Sequence, residues 1–167
     1  NRFYGLTASA IKTLEKGQII AGGAWNKYEG AHFGEVIWAQ NMGTADIGDR
    51  YYSDQSTKTD GNIYVKWQHE IASGFTSFID LQYRAVGYRA NGTETGLVND
   101  NFGFFNPKFG LTYELNKTNS FYTSYAVAHR EPNRNDYESG NPRPEQLSDI
   151  ELGWRHLSPT LKVNSNL

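Results

Sequence analysis

The chain has 167 residues, no cysteine and a formal net charge of −2 at pH 7. The lack of cysteine excludes a disulfide framework and thiol chemistry, and the near-neutral charge gives no signal for nucleic-acid binding. Aromatic residues make up 14% of the chain and it has 17 glycines, a mixture that favours strands over helices. No apolar run approaches the roughly 18 residues that a membrane-spanning helix needs. We therefore expect an all-β chain that is one domain or part of a larger one.

Alternation of apolar and polar residues predicts a series of strands. The pattern is clearest where Ile63, Val65 and Trp67 share one face while Lys66 and Glu70 lie on the other. The predicted strands cover residues 3–12, 18–28, 62–71, 75–85, 108–115, 121–130 and 149–156, and an eighth follows Pro159.

A tight turn at residues 72–74 joins the third and fourth predicted strands and sets their register. If its three residues are unpaired, Ile71 lies opposite Phe75. The same register then places Trp67 opposite Ile79 as a cross-strand pair.

The connections between the predicted strands alternate in length. Short turns are predicted around residues 13–17, 72–74, 116–120 and 157–160, and long polar loops at residues 29–60, 89–104 and 131–148. Turns on one edge and long loops on the other are typical of an outer-membrane barrel. We therefore expect an antiparallel up-and-down meander of about eight strands, on the plan of a transmembrane β-barrel.

Three motifs follow one another in the last third of the chain, after an aromatic-rich predicted strand. They are Arg130-Glu131-Pro132, Pro144-Glu145-Gln146-Leu147 and Asp149-Ile150-Glu151-Leu152-Gly153-Trp154. In this order they resemble the barrel of TonB-dependent outer-membrane receptors. Residues 22–28 and 32–40 are also similar to receptors of this family from Bacteroidetes.

The resemblance implies a piece of a larger protein, because plugged transporters of this kind have about 22 strands. Residues 1–167 are then expected to be a partial barrel domain, with the plug domain and the carboxy-terminal strands outside the chain. The implied function is TonB-dependent import of a nutrient across the outer membrane of a Gram-negative bacterium. The nutrient could be a metal chelate, a cobalamin-like cofactor or an oligosaccharide.

The implied partners are this extracellular ligand, the plug domain of the same parent chain, the lipid bilayer, and TonB of the inner-membrane complex. Charged residues on the polar strand faces are expected to line the lumen or hold strand ends: Lys66, Asp80, Arg84, Arg130, Glu151 and Arg155. The register predicted above places Lys66 opposite Asp80. The alternative is cross-strand charge pairing that only fixes register, each pair contributing under about 1 kcal/mol.

The first long loop concentrates aromatic and acidic residues. Aromatic rings offer flat stacking surfaces for sugars or other planar ligands, and carboxylates accept hydrogen bonds. The candidate ligand-binding residues are His32, Trp38, Tyr51 and Tyr52. The alternative is a loop that packs on its neighbours and keeps its charges in solvent.

No pattern in the sequence indicates a metal, cofactor or catalytic site. The histidines lack metal-ligand spacing, and the D-x-[DN]-x-[DN]-G calcium pattern is absent. No G-x-S-x-G nucleophile elbow occurs. We expect no resident cofactor, no metal and no enzymatic activity.

Two other functions are compatible with the strand pattern. A soluble all-β carbohydrate-binding module that uses the loop aromatics predicts a closed sandwich, with the apolar strand faces buried inside one chain. An outer-membrane barrel enzyme requires serine, histidine and an acid at one strand end, which the predicted register does not bring together.

Overall fold

The computed structural model describes residues 1–41, 43–93 and 95–167. In this part of the chain, eight strands form one antiparallel sheet in which neighbours in sequence are neighbours in space. The elements are β1 (Arg2–Leu14), β2 (Gly17–Glu35), β3 (Arg50–Ala72), β4 (Phe75–Gly92), β5 (Gly96–Glu114), β6 (Asn119–Arg130), α1 (Arg134–Glu138), β7 (Glu145–Leu157) and β8 (Lys162–Asn166). The predicted meander of about eight strands is confirmed, and the sheet stays open, with β1 and β8 as its edges.

The two faces of the sheet differ in polarity, because side chains alternate along each strand. We call the side that carries Ile63, Val65 and Trp67 the apolar face, and the side that carries Lys66 and Arg84 the polar face. Ile63 is 68% exposed and Val65 is 48% exposed. This exposure and the sequential strand order differ from the closed sandwich that a soluble module would require.

No helix in the described residues is long and apolar enough to cross a membrane.

The register between β3 and β4 follows the prediction along most of its length. Trp67 pairs with Ile79, as the alternation of apolar residues predicts. The predicted pairing of Ile71 with Phe75 is wrong, because Ala72 takes that place and a register shift lies between Glu70 and Ala72. The extra residue makes a β-bulge beside the turn, a common position for one.

The strands extend much further than alternation predicts on the edge opposite the short turns. Residues 29–35 and 50–60, assigned to the first long loop, continue β2 and β3 as a paired ladder and leave only residues 36–49 between them. Residues 89–92 and 96–104, assigned to the second loop, continue β4 and β5. The predicted alternation of short and long connections therefore fails at the β4–β5 turn.

The third long connection contains a short helix and is shorter than predicted. Asn133 caps α1 with a capping box, in which its side chain accepts from the Asp136 backbone and the Asp136 side chain accepts from the Asn133 backbone. Strand β7 begins at Glu145, so Glu145 and the residues up to Ser148 belong to the sheet and not to the loop.

Candidate functional site

An ion-pair network lies on the polar face, with Arg84 at its centre. The Arg84 guanidinium donates to Asp60, with Nε 3.0 Å from Oδ2, and to Glu131, with Nη1 2.8 Å from Oε2. Lys58 also donates from Nζ to Glu131. A planar guanidinium offers donors in two directions, which lets one arginine bind two carboxylates. The network holds two cations and two anions, so its charges balance.

Glu131 is the most buried member of this network, with 6% of its surface exposed. Burial by itself would raise the pKa of the Glu131 carboxyl, but hydrogen bonds from Lys58, from the Glu131 backbone and from Arg84 outweigh it and lower the pKa to about 2. Glu131 is therefore a carboxylate at every physiological pH.

Residues 131–144, which we call the strap, fold from the end of β6 across the polar face. Arg134 donates from Nη2 to Asp54 of β3 at 2.9 Å. Tyr137 donates from its hydroxyl to Asp100 of β5 at 2.8 Å. Burial, together with this hydrogen bond, raises the pKa of the Tyr137 hydroxyl. The strap thus contacts strands β3, β4 and β5 through polar side chains.

The predicted pair Lys66 and Asp80 lies opposite in register, with Nζ 3.2 Å from Oδ2. Asp80 is also opposite Lys108 of β5. These residues lie below the Arg84 network on the same face of the sheet, toward the short turns.

Arg130, in contrast to Glu131, lies at the surface. Its Nη2 is 2.6 Å from Glu145 Oε1, and its side chain is 59% exposed. Arg130 and Glu145 are also opposite in register, so this pair joins the ends of β6 and β7.

The last two polar-face candidates have local partners. Glu151 accepts a long hydrogen bond of 3.4 Å from the Ser124 hydroxyl. The Arg155 guanidinium lies 4.3 Å from the ring centroid of Tyr122, a cation–π contact.

The aromatic candidates lie on and beyond the paired ends of β2 and β3. Tyr51 and Tyr52 contact edge to face, with centroids 5.3 Å apart. His32 Nε2 lies 3.4 Å from the Tyr28 hydroxyl. Trp38 is exposed in the connection beyond the strands.

Several residues of the Arg84 network and of the strap contacts were not among the sequence candidates: Lys58, Asp54, Asp60, Asp100 and Glu131. Lys58 and Asp60 continue the even-numbered polar series of β3, so extending that series beyond Asn62 would have found them. Glu131 lies inside the Arg-Glu-Pro motif, where burial rather than sequence distinguishes it from Arg130. Within the described residues, no group of three or more histidine, aspartate or glutamate side chains could hold a metal ion.

A family model described as "TonB dependent receptor-like, beta-barrel" matches residues 1–167. The chain belongs to this TonB-dependent receptor β-barrel family. The predicted resemblance is confirmed, and the family consists of receptors and transporters of the Gram-negative outer membrane. A search of curated proteins found no match.

Solved structures of TonB-dependent transporters share the fold. The FrpB iron transporter from Neisseria meningitidis (F5-1 variant) superposes with a TM-score of 0.69 at 17% sequence identity. The superposition covers 98% of this chain and 27% of the FrpB chain. The unliganded ferric citrate transporter FecA superposes with a TM-score of 0.71 at 15% identity, with 98% and 26% covered. This chain therefore spans about a quarter of the length of these transporters.

Proposed function

We propose that this chain is part of the barrel of an outer-membrane receptor that imports a nutrient into a Gram-negative bacterium with energy delivered through TonB. The plug domain and the segment that contacts TonB would belong to the same parent protein, outside residues 1–167. The family membership of the whole chain supports this proposal.

The observation that carries the proposal is the contrast between the two faces of the sheet. The apolar face exposes Ile63, Val65 and Leu81 over the stretch of β3 and β4 nearest the short turns. Such a surface is costly in water and stable against lipid chains. The opposite face holds Lys66, Asp80 and the Arg84 network, as expected for a wall that faces water and other protein.

The long hairpins are the proposed place of ligand capture, because they extend β2 to β5 well beyond the apolar band. His32, Trp38, Tyr51 and Tyr52 are the proposed contact residues on the first of them. A metal chelate, a cobalamin-like cofactor and an oligosaccharide are all candidate ligands. FrpB is an iron transporter and FecA a ferric citrate transporter, but likeness at this identity supports a shared fold and does not choose among the three.

Uptake measurements on whole cells test the proposal. Cells that express the full-length protein are compared with cells lacking its gene and with cells lacking TonB, using radiolabelled ferric citrate, cyanocobalamin and maltoheptaose. We expect one probe to accumulate at least tenfold more in expressing cells, and only when TonB is present. Accumulation that persists without TonB would contradict an energised import function.

A substitution on the hairpin tests the ligand residues separately. Trp38→Ala is expected to raise the half-saturating concentration of the accumulated probe severalfold while leaving the amount of folded receptor unchanged. The matched control is Ile37→Ala, the neighbouring exposed residue without a stacking ring. Equal effects of the two substitutions would remove Trp38 from the proposed contact set.

A further inference from the structure

The strap begins with two buried residues, Glu131 and Pro132, directly after β6. Its contacts recur every three residues, at Glu131, Arg134 and Tyr137. They bind different places on the sheet, namely Arg84 and Lys58, then Asp54, then Asp100. Three such anchors define both the position and the orientation of the segment.

The anchors lie on three rungs of the sheet, and the middle one reaches furthest, because Arg134 binds Asp54, which is opposite Gly92. Arg84 is opposite Phe104, and four residues further along β4, Tyr88 is opposite Asp100. The ring of Tyr137 lies 5.2 Å from the ring of Tyr88, and its hydroxyl binds Asp100. The strap therefore runs along β4 and β5 from the Arg84 rung to at least the Tyr88 rung.

Apolar side chains are buried on the polar face in this same region. The buried apolar residues among those described are Val86, Ala90, Val98 and Phe104. All four have even numbers on β4 and β5, which places them on the face of Arg84 and Asp100. The part of the sheet where burial is greatest is thus the part that the strap crosses, and not the apolar face.

We propose that the strap is a permanent layer of the inner wall, which stays closed over β4 and β5 throughout transport. This inference rests on the proposed import function. At this level of the barrel, cargo and other domains would then contact the outer surface of the strap, and Val86, Ala90 and Val98 would never meet the lumen.

Opening the strap would have several coupled costs. Lifting the strap would separate Glu131 from both of its cations and break the two further polar anchors at Arg134 and Tyr137. A mobile flap is expected to have few buried contacts at its base, whereas Glu131 and Pro132 at the base of the strap are both buried.

Cysteine labelling in whole cells tests the proposal, and it works whichever ligand the receptor binds. Val98→Cys places a thiol on the polar face in the region of the strap, where the native side chain is 8% exposed, and Leu97→Cys places one on the other face of the same strand, where it is 85% exposed. Fluorescein maleimide is added to cells with and without TonB, in the presence of ferric citrate, cyanocobalamin or maltoheptaose. We expect the Val98→Cys thiol to react at least tenfold more slowly than the Leu97→Cys thiol in every condition.

A release variant shows that the assay detects an open strap. Glu131→Gln combined with Arg134→Gln removes the charge from two anchors in the Val98→Cys background and is expected to accelerate labelling at least tenfold. Labelling that is already fast without these substitutions, or that accelerates only in energised cells with a probe present, would overturn the proposal. An unchanged rate in the release variant would show that the anchors do not hold the strap, and would overturn it as well.

The two proposals fail in different ways. If no probe accumulates in the uptake experiment, the import function fails while slow labelling of Val98→Cys still reports a closed strap. If uptake depends on TonB but labelling of Val98→Cys accelerates during it, the import function stands and the permanent strap fails.

Discussion

At the residue scale, Glu131 connects three parts of the molecule that are distant in sequence. It lies at the start of the strap and binds Lys58 of β3 and Arg84 of β4, across the intervening β5. Removing one partner of a buried ion pair leaves the other charge uncompensated, which costs more than the pair itself contributes. Glu131 is therefore the polar residue on which we expect stability to depend most.

We predict that Glu131→Gln lowers the free energy of unfolding of the full-length protein by about 3 kcal/mol. The measurement is guanidinium unfolding of the receptor in lipid vesicles. Arg130→Gln is the matched control, because its ion pair with Glu145 is exposed and should contribute under about 1 kcal/mol. Equal losses in the two variants would show that burial of Glu131 is not what matters.

The contribution of Glu131 should also depend on pH in a defined direction. Its pKa is about 2 in the folded protein against an ordinary value of 4.5. Because the folded-state pKa is the lower one, the stabilisation is complete above about pH 4.5 and is lost as pH falls from there toward 2. The difference in unfolding free energy between wild type and Glu131→Gln should shrink over that window. A difference that shrinks between pH 6 and 8 instead would contradict this assignment.

At the element scale, the β3–β4 hairpin joins two long paired strands by a short turn. The β3–β4 turn contains Gly74 in the left-handed region, with φ of +75°. A Cβ built on Gly74 would lie 3.0 Å from the carbonyl oxygen of Glu114, which cannot move aside without displacing β5. Backbone conformation and close approach therefore both favour glycine here.

We predict that Gly74→Ala lowers the free energy of unfolding by about 1–2 kcal/mol, the cost of a left-handed conformation for a residue with a Cβ. Gly61→Ala is the control, since Gly61 has an ordinary strand conformation and its nearest neighbour, Trp25 Cδ1, would lie 3.6 Å from the added methyl. That variant should be neutral or slightly more stable. The same guanidinium titration measures both, and a larger loss for Gly61→Ala would contradict the turn argument.

The strands extend beyond the apolar band in a way that the pattern of residues does not reveal. Residues 53–60 of β3 place Ser53, Gln55, Thr57 and Thr59 on one side and Asp54, Lys58 and Asp60 on the other. Both sides are polar, so no alternation of hydrophobicity exists to detect. The backbone ladder continues regardless, because its hydrogen bonds do not depend on side-chain polarity.

At the scale of the whole molecule, the apolar face is the surface that most restricts what surrounds the protein. Val65 lies near the middle of the apolar stretch of β3, opposite Leu81. If this face contacts lipid, a charge at Val65 must be placed in hydrocarbon, which costs about 2–4 kcal/mol near the bilayer midplane. The neighbouring rung carries Gln82 on the polar face, where a charge stays in a polar environment.

We predict that Val65→Arg strongly reduces the folded fraction of the full-length protein in lipid vesicles, while Gln82→Arg leaves it within about twofold of wild type. The measurement is the fraction that keeps its compact mobility on unheated gels after refolding. Equal yields for the two variants would show that the apolar face does not contact lipid in the folded protein.

Much of the architecture was determined by the sequence alone. Period-2 alternation gave strand identity, the apolar face and the pairing of Trp67 with Ile79, because alternation is a local property of the chain. The ordered motifs gave the family for the same reason, since each is a short contiguous run.

Tertiary structure decided the rest. The β-bulge between Glu70 and Ala72 depends on the geometry of the turn that joins β3 to β4. The length of the hairpins depends on backbone hydrogen bonds between strands, which the side-chain pattern does not predict. In the sequence the strap has the features of an ordinary polar loop. Its folded position depends on contacts with Lys58, Arg84 and Asp100, which lie up to 73 residues away in sequence. Arg130 and Glu131 are adjacent charged residues, and nothing in the sequence indicates which of them is buried. The packing of the strap on the sheet buries Glu131 and leaves Arg130 exposed.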